Sequence, residues 1–71
     1  MTRDDWLAAF AARLGVEPPD DATVDLLLRV AAVAAHASER TAAPIACWLV
    51  GMAGLDATAA LAAAEATSPA V

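Results

Sequence analysis

Two helices meet in the stretch HASERTAAPIACWLVG, residues 36–51. A polar helix end that carries His36 and Arg40 runs directly into an apolar helix started by Pro44. Proline is well tolerated in the first turn of a helix, because its missing N–H has no intrahelical partner there. Ionisable groups and an apolar element are forced together in this stretch, and we therefore expect any functional face to lie near it.

The pattern before this stretch predicts a helix over residues 22–38. Its polar positions are confined to a narrow stripe, at Asp25, Arg29, His36 and Arg40. A helix with so little polar surface is expected to be packed on two or three sides. The sequence therefore predicts that this helix is the central element of the fold.

The pattern after Pro44 predicts a third helix over residues 44–53. It has one face of large apolar residues, and small residues cover much of the remainder. Such small residues allow close helix packing, and either Gly51 or Gly54 is expected to end or weaken this helix. The large face has the spacing i, i+3, i+4, i+7 and comprises Ile45, Trp48, Leu49 and Met52.

The flanking segments also read as helical. Thr2 is a plausible N-cap for residues 3–14, whose apolar face recurs every four residues at Trp6, Phe10 and Leu14, before a stop at Gly15. Asp20 or Asp21 can cap the second helix, and Asp56 can cap a fourth helix over residues 57–66, followed by a tail at 67–71. The prediction is an all-α fold, a small three- to four-helix bundle in one domain spanning residues 1–71.

The composition predicts a thinly filled core. The chain has 71 residues and is 61% hydrophobic, but about half of those residues are alanine. Alanine favours helix and buries little apolar surface. A chain of this size is near the limit at which one core suffices, so a core shared within a homo-oligomer is as natural an expectation as a monomer.

Charge and cysteine content exclude several classes of function. The net charge is −5 with no lysine, which disfavours nucleic acid and anionic membrane surfaces as partners. The single Cys47 excludes an internal disulfide. The longest charge-free stretch, Thr41 to Leu55, has 15 residues, fewer than the roughly 20 needed to span a bilayer. We therefore expect a cytoplasmic protein with no membrane segment.

The ionisable residues offer little for catalysis. His36 lacks an orienting carboxylate, and a histidine at a helix C-terminus is more often structural. Asp25 and Arg29 are spaced for an i, i+4 ion pair. Cys47 lies in an apolar helix without a neighbouring base and reads as a structural residue. We therefore predict no catalytic residue, no metal site and no cofactor.

Several motifs resemble a known family. They are Val24-Asp-Leu-Leu-Leu, Ala35-His36, Arg40, Ala42-Ala-Pro44 and Leu49-Val-Gly51. Together they are similar to a family of short actinobacterial helical domains of unknown function, and the similarity runs from about Trp6 to Gly54. Those domains stand alone or are appended to molybdenum cofactor guanylyltransferases, which attach GMP to molybdopterin. The resemblance implies that a guanylyltransferase of this kind is the protein partner.

Two functions follow from this reading. The first is a non-catalytic interaction or accessory module that binds a protein partner. The second is a small ligand-binding or sensing domain, in which Arg29, His36 and Arg40 receive an anionic metabolite such as a pterin phosphate. The residues predicted to bind the protein partner are Arg29, His36, Arg40, Pro44 and Trp48.

Overall fold

The computed structural model describes residues 1–69 and contains four α-helices in that range. They are α1 (Arg3–Leu14), α2 (Asp21–Ala37), α3 (Ala42–Ala53) and α4 (Ala57–Thr67). No strand occurs among the described residues, which confirms the predicted all-α small bundle. The bounds of α1 are as predicted. The last two residues of the predicted tail lie outside the described range.

Local signals explain where the helices begin and end. Thr2 and Asp5 form a reciprocal capping box at the start of α1. The carboxylates of Asp20 and Asp56 each accept a 2.8 Å hydrogen bond from a backbone N–H in the first turn of α2 and α4. Of the two alternatives at the start of α2, Asp20 is therefore the cap. Gly54, with φ +67°, ends α3 in the left-handed region, as Gly15 ends α1.

The other three helices differ slightly from the predicted bounds. α2 runs from Asp21 to Ala37, one residue earlier at each end than predicted. α3 begins at Ala42, two residues before Pro44. This extension is compatible with proline, because the first four N–H groups of a helix lack intrahelical acceptors. α4 includes Thr67, which was predicted to start the tail, and its C-cap is Ser68.

The second helix is the centre of the fold. Both α3 and α4 pack closely along α2, as its narrow polar stripe predicts. Across the described residues, α1 makes few close backbone contacts with the other helices, and α3 and α4 do not pack closely on each other. The molecule is accordingly elongated, with principal extents of 39 × 23 × 19 Å.

The core is small. Only Ala11, Val30 and Ala60 are buried among the described residues, and Val30 is the most enclosed at 2% exposure. The large apolar residues of α1 and α3 therefore do not fill the core of one chain. At least 46% of each of the following is exposed: Trp6, Phe10, Leu14, Val16, Leu28, Ile45, Trp48, Leu49, Met52 and Leu55.

The third helix turns its smaller side chains toward α2. The half-buried residues of α3 are Ala42, Ala43, Ala46, Cys47 and Val50. Small side chains let the axis of α3 approach α2 closely. The large residues lie on the opposite side and remain in solvent.

Candidate functional site

The polar corner is the junction of α2 and α3, and it contains His36, Arg40, Pro44 and Trp48. α2 ends at Ser38, whose backbone N–H (3.2 Å) and hydroxyl (2.7 Å) both donate to the Ala34 carbonyl oxygen and whose φ of −140° lies outside the helical region. Turn hydrogen bonds from Ala42 N–H to the Glu39 carbonyl (2.9 Å) and from Ala43 N–H to the Arg40 carbonyl (3.2 Å) then start α3. The corner is thus held by backbone geometry, with its side chains exposed.

All five residues predicted to bind a partner are exposed. Arg40 lies in the turn, and Pro44 and Trp48 follow at i+4 and i+8 along one edge of α3. His36 lies in the last turn of α2. His36, Arg40 and Pro44 therefore lie at the α2–α3 junction, and Trp48 lies one turn beyond Pro44 on α3.

Arg29 stands apart from the polar corner. It lies seven residues before His36 on α2, a rise of about 10 Å along the helix. It lines a shallow depression of about 320 Å³ with Val33, Leu61 and Glu65, on the side of α2 that faces α4. The carboxylate of Glu65 therefore shares the surroundings of this arginine.

The predicted Asp25–Arg29 ion pair is wrong. Among residues 1–69, the ion pair within 4.0 Å is Arg3–Asp4, at 3.0 Å between guanidinium nitrogen and carboxylate oxygen. Asp25 and Arg29 are both exposed. An exposed pair gains little from contact, because water screens the attraction and ordering two side chains costs entropy.

Cys47 faces the central helix. Its side chain is half-buried, and its Sγ lies 3.9 Å from the Leu27 carbonyl oxygen, at the distance of a weak S–H donor contact. This position agrees with the structural role predicted for the thiol. Over the described residues, no group of three or more histidine, cysteine, aspartate or glutamate side chains could hold a metal ion.

A second strip of α3 lies beside the polar corner. Ile45, Leu49 and Met52, here called the α3 strip, share one face of α3 with Trp48. Leu49 is the member of the strip that lies nearest α4. Leu49 and Leu55 also line a groove of about 340 Å³ between α3 and α4. Val30 and Ala34 of α2 belong to the same groove, and its other lining residues are Ala46, Val50, Ala53, Ala60, Ala63, Ala64 and Thr67.

The sequence pattern does not indicate this groove. The alanines of α4 read as a weakly apolar helix, and nothing local to them indicates which neighbour they face. The groove exists because α3 and α4 both pack on α2 without closing on each other. Thr67 is the one residue with a polar side chain among the described residues that line the groove. A spatial arrangement of three helices was needed to find it.

The first helix carries another exposed apolar surface. The rings of Trp6 and Phe10 stack with centroids 4.9 Å apart and an interplanar angle of 28°. Leu7 and Ala11, each of which follows one of these aromatic residues in sequence, are the more enclosed residues of α1. The predicted apolar face of this helix is therefore present, but its aromatic part is turned toward solvent.

The comparisons with known proteins place the chain in a family without assigning a role. No helix among the described residues is long and apolar enough to cross a membrane. Neither the curated proteins nor the solved structures contain a significant match. A family model does match, over residues 1–71, and it therefore includes the alanine-rich end that the sequence resemblance left out. The chain belongs to the family described as Domain of unknown function (DUF6457).

Proposed function

We propose that this chain is a non-catalytic interaction module that binds a protein partner through the polar corner. The observation that carries the proposal is the exposure of Trp48, 63% of which is accessible, about two helical turns along α3 from the exposed Arg40. Tryptophan and arginine are the residue types that most often dominate binding energy at protein interfaces. Their exposure on neighbouring turns of one helix pair is what an interaction surface requires.

The chemistry of the corner favours a partner with an apolar pocket beside carboxylates. Trp48 and Pro44 supply rigid apolar area that loses little conformational entropy on binding. Arg40 can form a bidentate pair with a carboxylate, and His36 adds a hydrogen-bond donor. The chain itself is acidic, with a net charge of −5. The contact would therefore depend on local cations rather than on long-range attraction to an acidic partner.

We propose a molybdenum cofactor guanylyltransferase as the partner. The support is the sequence resemblance, whose His36, Arg40 and Pro44 positions all lie in the polar corner. An appended or free-standing domain would present this corner to the enzyme and leave GMP transfer to the enzyme's own site. The actinobacterial origin suggested by the resemblance belongs to the same proposal.

A ligand-binding function is less well supported by the geometry. An anionic metabolite would need Arg29, His36 and Arg40 to converge on it. Arg29 instead shares a depression with Glu65, and a carboxylate there opposes an anion. Protein binding is therefore the function that we favour.

The proposal predicts the result of a binding assay with purified components. A His36→Ala/Arg40→Ala variant should bind immobilised guanylyltransferase at least about 10-fold more weakly than the wild type. Each of the two side chains should contribute about 1 kcal/mol or more once the partner covers it, and about 1.4 kcal/mol corresponds to a tenfold change in affinity. Arg29→Ala should have little effect. Affinities would be measured by surface plasmon resonance, with folding checked by circular dichroism.

An Arg3→Ala/Arg13→Ala variant is the matched control. It removes two cations from α1, far along the chain from the polar corner, and should bind as the wild type does. Equal weakening by both double variants would show a general charge effect and count against the corner. Absence of wild-type binding would reject the guanylyltransferase as partner.

A further inference from the structure

We propose that the α3 strip and the α3–α4 groove form a homodimer interface, occupied by the same surface of a second copy of this chain. This interface adjoins Trp48 of the polar corner, because Ile45 and Met52 lie three and four residues from it on the same helix, but it does not depend on the proposed function. Residues Ile45, Leu49 and Met52 form the projecting part of the surface. The groove lined by Val30, Ala34 and Leu55 forms the receiving part.

The exposed area of the chain is too large for a compact monomer. A folded monomer of 7.2 kDa is expected to expose about 4,100 Å². This chain exposes 5433 Å², an excess of about 1,300 Å² over that expectation. A stable dimer of standard size buries about 800 Å² on each partner. The excess is therefore sufficient to supply one such interface.

The orientation of α3 indicates where that interface lies. Its small residues face α2, and its large apolar residues face solvent. Leu49 is 55% exposed, although it borders an apolar groove that it does not fill. Covering both the strip and the groove would remove apolar area from water. That burial contributes a favourable free energy of about 25 cal/mol per Å², from which the costs of association are subtracted. The helix is thus placed as an element of a shared core.

The distribution of charge favours a second copy over a charged partner. The segment from Thr41 to Leu55 contains no charged residue, although the whole chain carries −5. In a two-fold dimer, a residue near the axis meets its own copy, so a charge there would be repelled. A neutral strip avoids that repulsion. The acidic residues can then remain in solvent at the edges.

Leu49 is the residue expected nearest the two-fold axis. It belongs both to the projecting strip and to the lining of the groove. In a self-complementary interface the same patch must provide both halves of the contact. Leu49 meets that condition when it packs against its own copy, because it belongs to both the α3 strip and the groove. The flanking Ile45 and Met52 would then enter the groove of the other copy.

The test is the molar mass of the purified full chain by sedimentation equilibrium across a wide concentration range. The wild type should approach twice 7.2 kDa as concentration rises. Leu49→Lys should raise the apparent dissociation constant by about 30-fold or more, because it places two like charges at the centre of the interface. Leu28→Lys is the matched control: the leucine is 52% exposed on α2 and is absent from the groove lining.

Each result decides the question. A wild type that remains a monomer at every concentration overturns the proposal, and so does a Leu49→Lys variant that dimerises as strongly as Leu28→Lys. Met52→Lys provides a second disruption in case Leu49→Lys fails to fold, because Met52 is already exposed and its replacement by lysine leaves the monomer intact. Binding of the guanylyltransferase is measured separately with His36 and Arg40 variants. Failure of one proposal is therefore distinguishable from failure of the other.

Discussion

Asp20 is the residue whose protonation is most clearly coupled to the fold. Its hydrogen bonds with Thr23, first through the side chain and then through the backbone N–H, lower the pKa of the Asp20 carboxyl. A carboxyl with a lowered folded-state pKa stabilises the fold fully above its ordinary pKa of 3.8. That stabilisation is lost as the pH falls from 3.8 through the lowered pKa of the folded state. The start of α2 should therefore weaken in acid.

The Asp20→Asn variant isolates this effect. Asparagine caps helices about as well as aspartate and does not titrate in this range. The variant should have nearly the same melting temperature as the wild type at neutral pH. At strongly acidic pH it should have the higher melting temperature of the two. Thermal unfolding followed by circular dichroism at both pH values would measure the difference. A gap between the two proteins that does not change with pH would contradict the assignment of the cap.

Gly51 and Gly54 have opposite conformational requirements at the end of α3. A Cβ added at either position would meet no atom within 4 Å, so steric contact does not distinguish them. Gly54 has φ +67°, where an L-residue is strained, whereas Gly51 lies within the helix. Gly54→Ala should destabilise the protein by about 1 kcal/mol, and Gly51→Ala should stabilise it by about 0.5–1 kcal/mol. Urea unfolding of both variants provides the comparison, and changes of the same sign would refute it.

At the scale of the element, the ends of the helices were predictable from the sequence. Thr2, Gly15 and Asp56 act within a few residues of their own position, so a local pattern is sufficient to identify them. The two alternatives that remained, Asp20 against Asp21 and Gly51 against Gly54, were decided by individual hydrogen bonds and dihedral angles. Helix propensity does not decide which of two nearby residues is the cap, because both residues of each pair are of a type that caps helices.

The direction in which α3 faces could not be predicted in the same way. Trp48 and Val50 are both apolar, and a hydrophobic pattern does not distinguish the face that packs on α2 from a face that packs on another molecule. The structure turns Val50 inward and Trp48 outward. The candidate site was likewise only partly predictable: the local turn groups His36 with Arg40, whereas the position of Glu65 beside Arg29 depends on the placement of α4.

For the whole molecule, a thin core and a proposed shared interface have a thermodynamic consequence. Val30 is the most enclosed side chain, at 2% exposure, and few others are buried among the described residues. A partner that binds only the folded chain raises its stability in proportion to the logarithm of partner concentration. If the partner is a second copy, the concentration of the protein itself takes that role. The melting temperature should therefore rise with protein concentration.

Two variants separate the core from the interface in this experiment. Val30→Ala removes buried methyl groups and should cost about 2 kcal/mol, which lowers the melting temperature by roughly 10 °C in a domain of this size. Val30 borders the groove, but only 2% of it is accessible, so the surface offered to a second copy loses little area and the dependence on concentration should be retained. Leu49→Lys should instead abolish that dependence while leaving the melting temperature of the dilute protein nearly unchanged, since the leucine is already half exposed. A melting temperature independent of concentration in the wild type would mean that the small core of one chain is sufficient, and that the outward face of α3 does not contribute to folding stability.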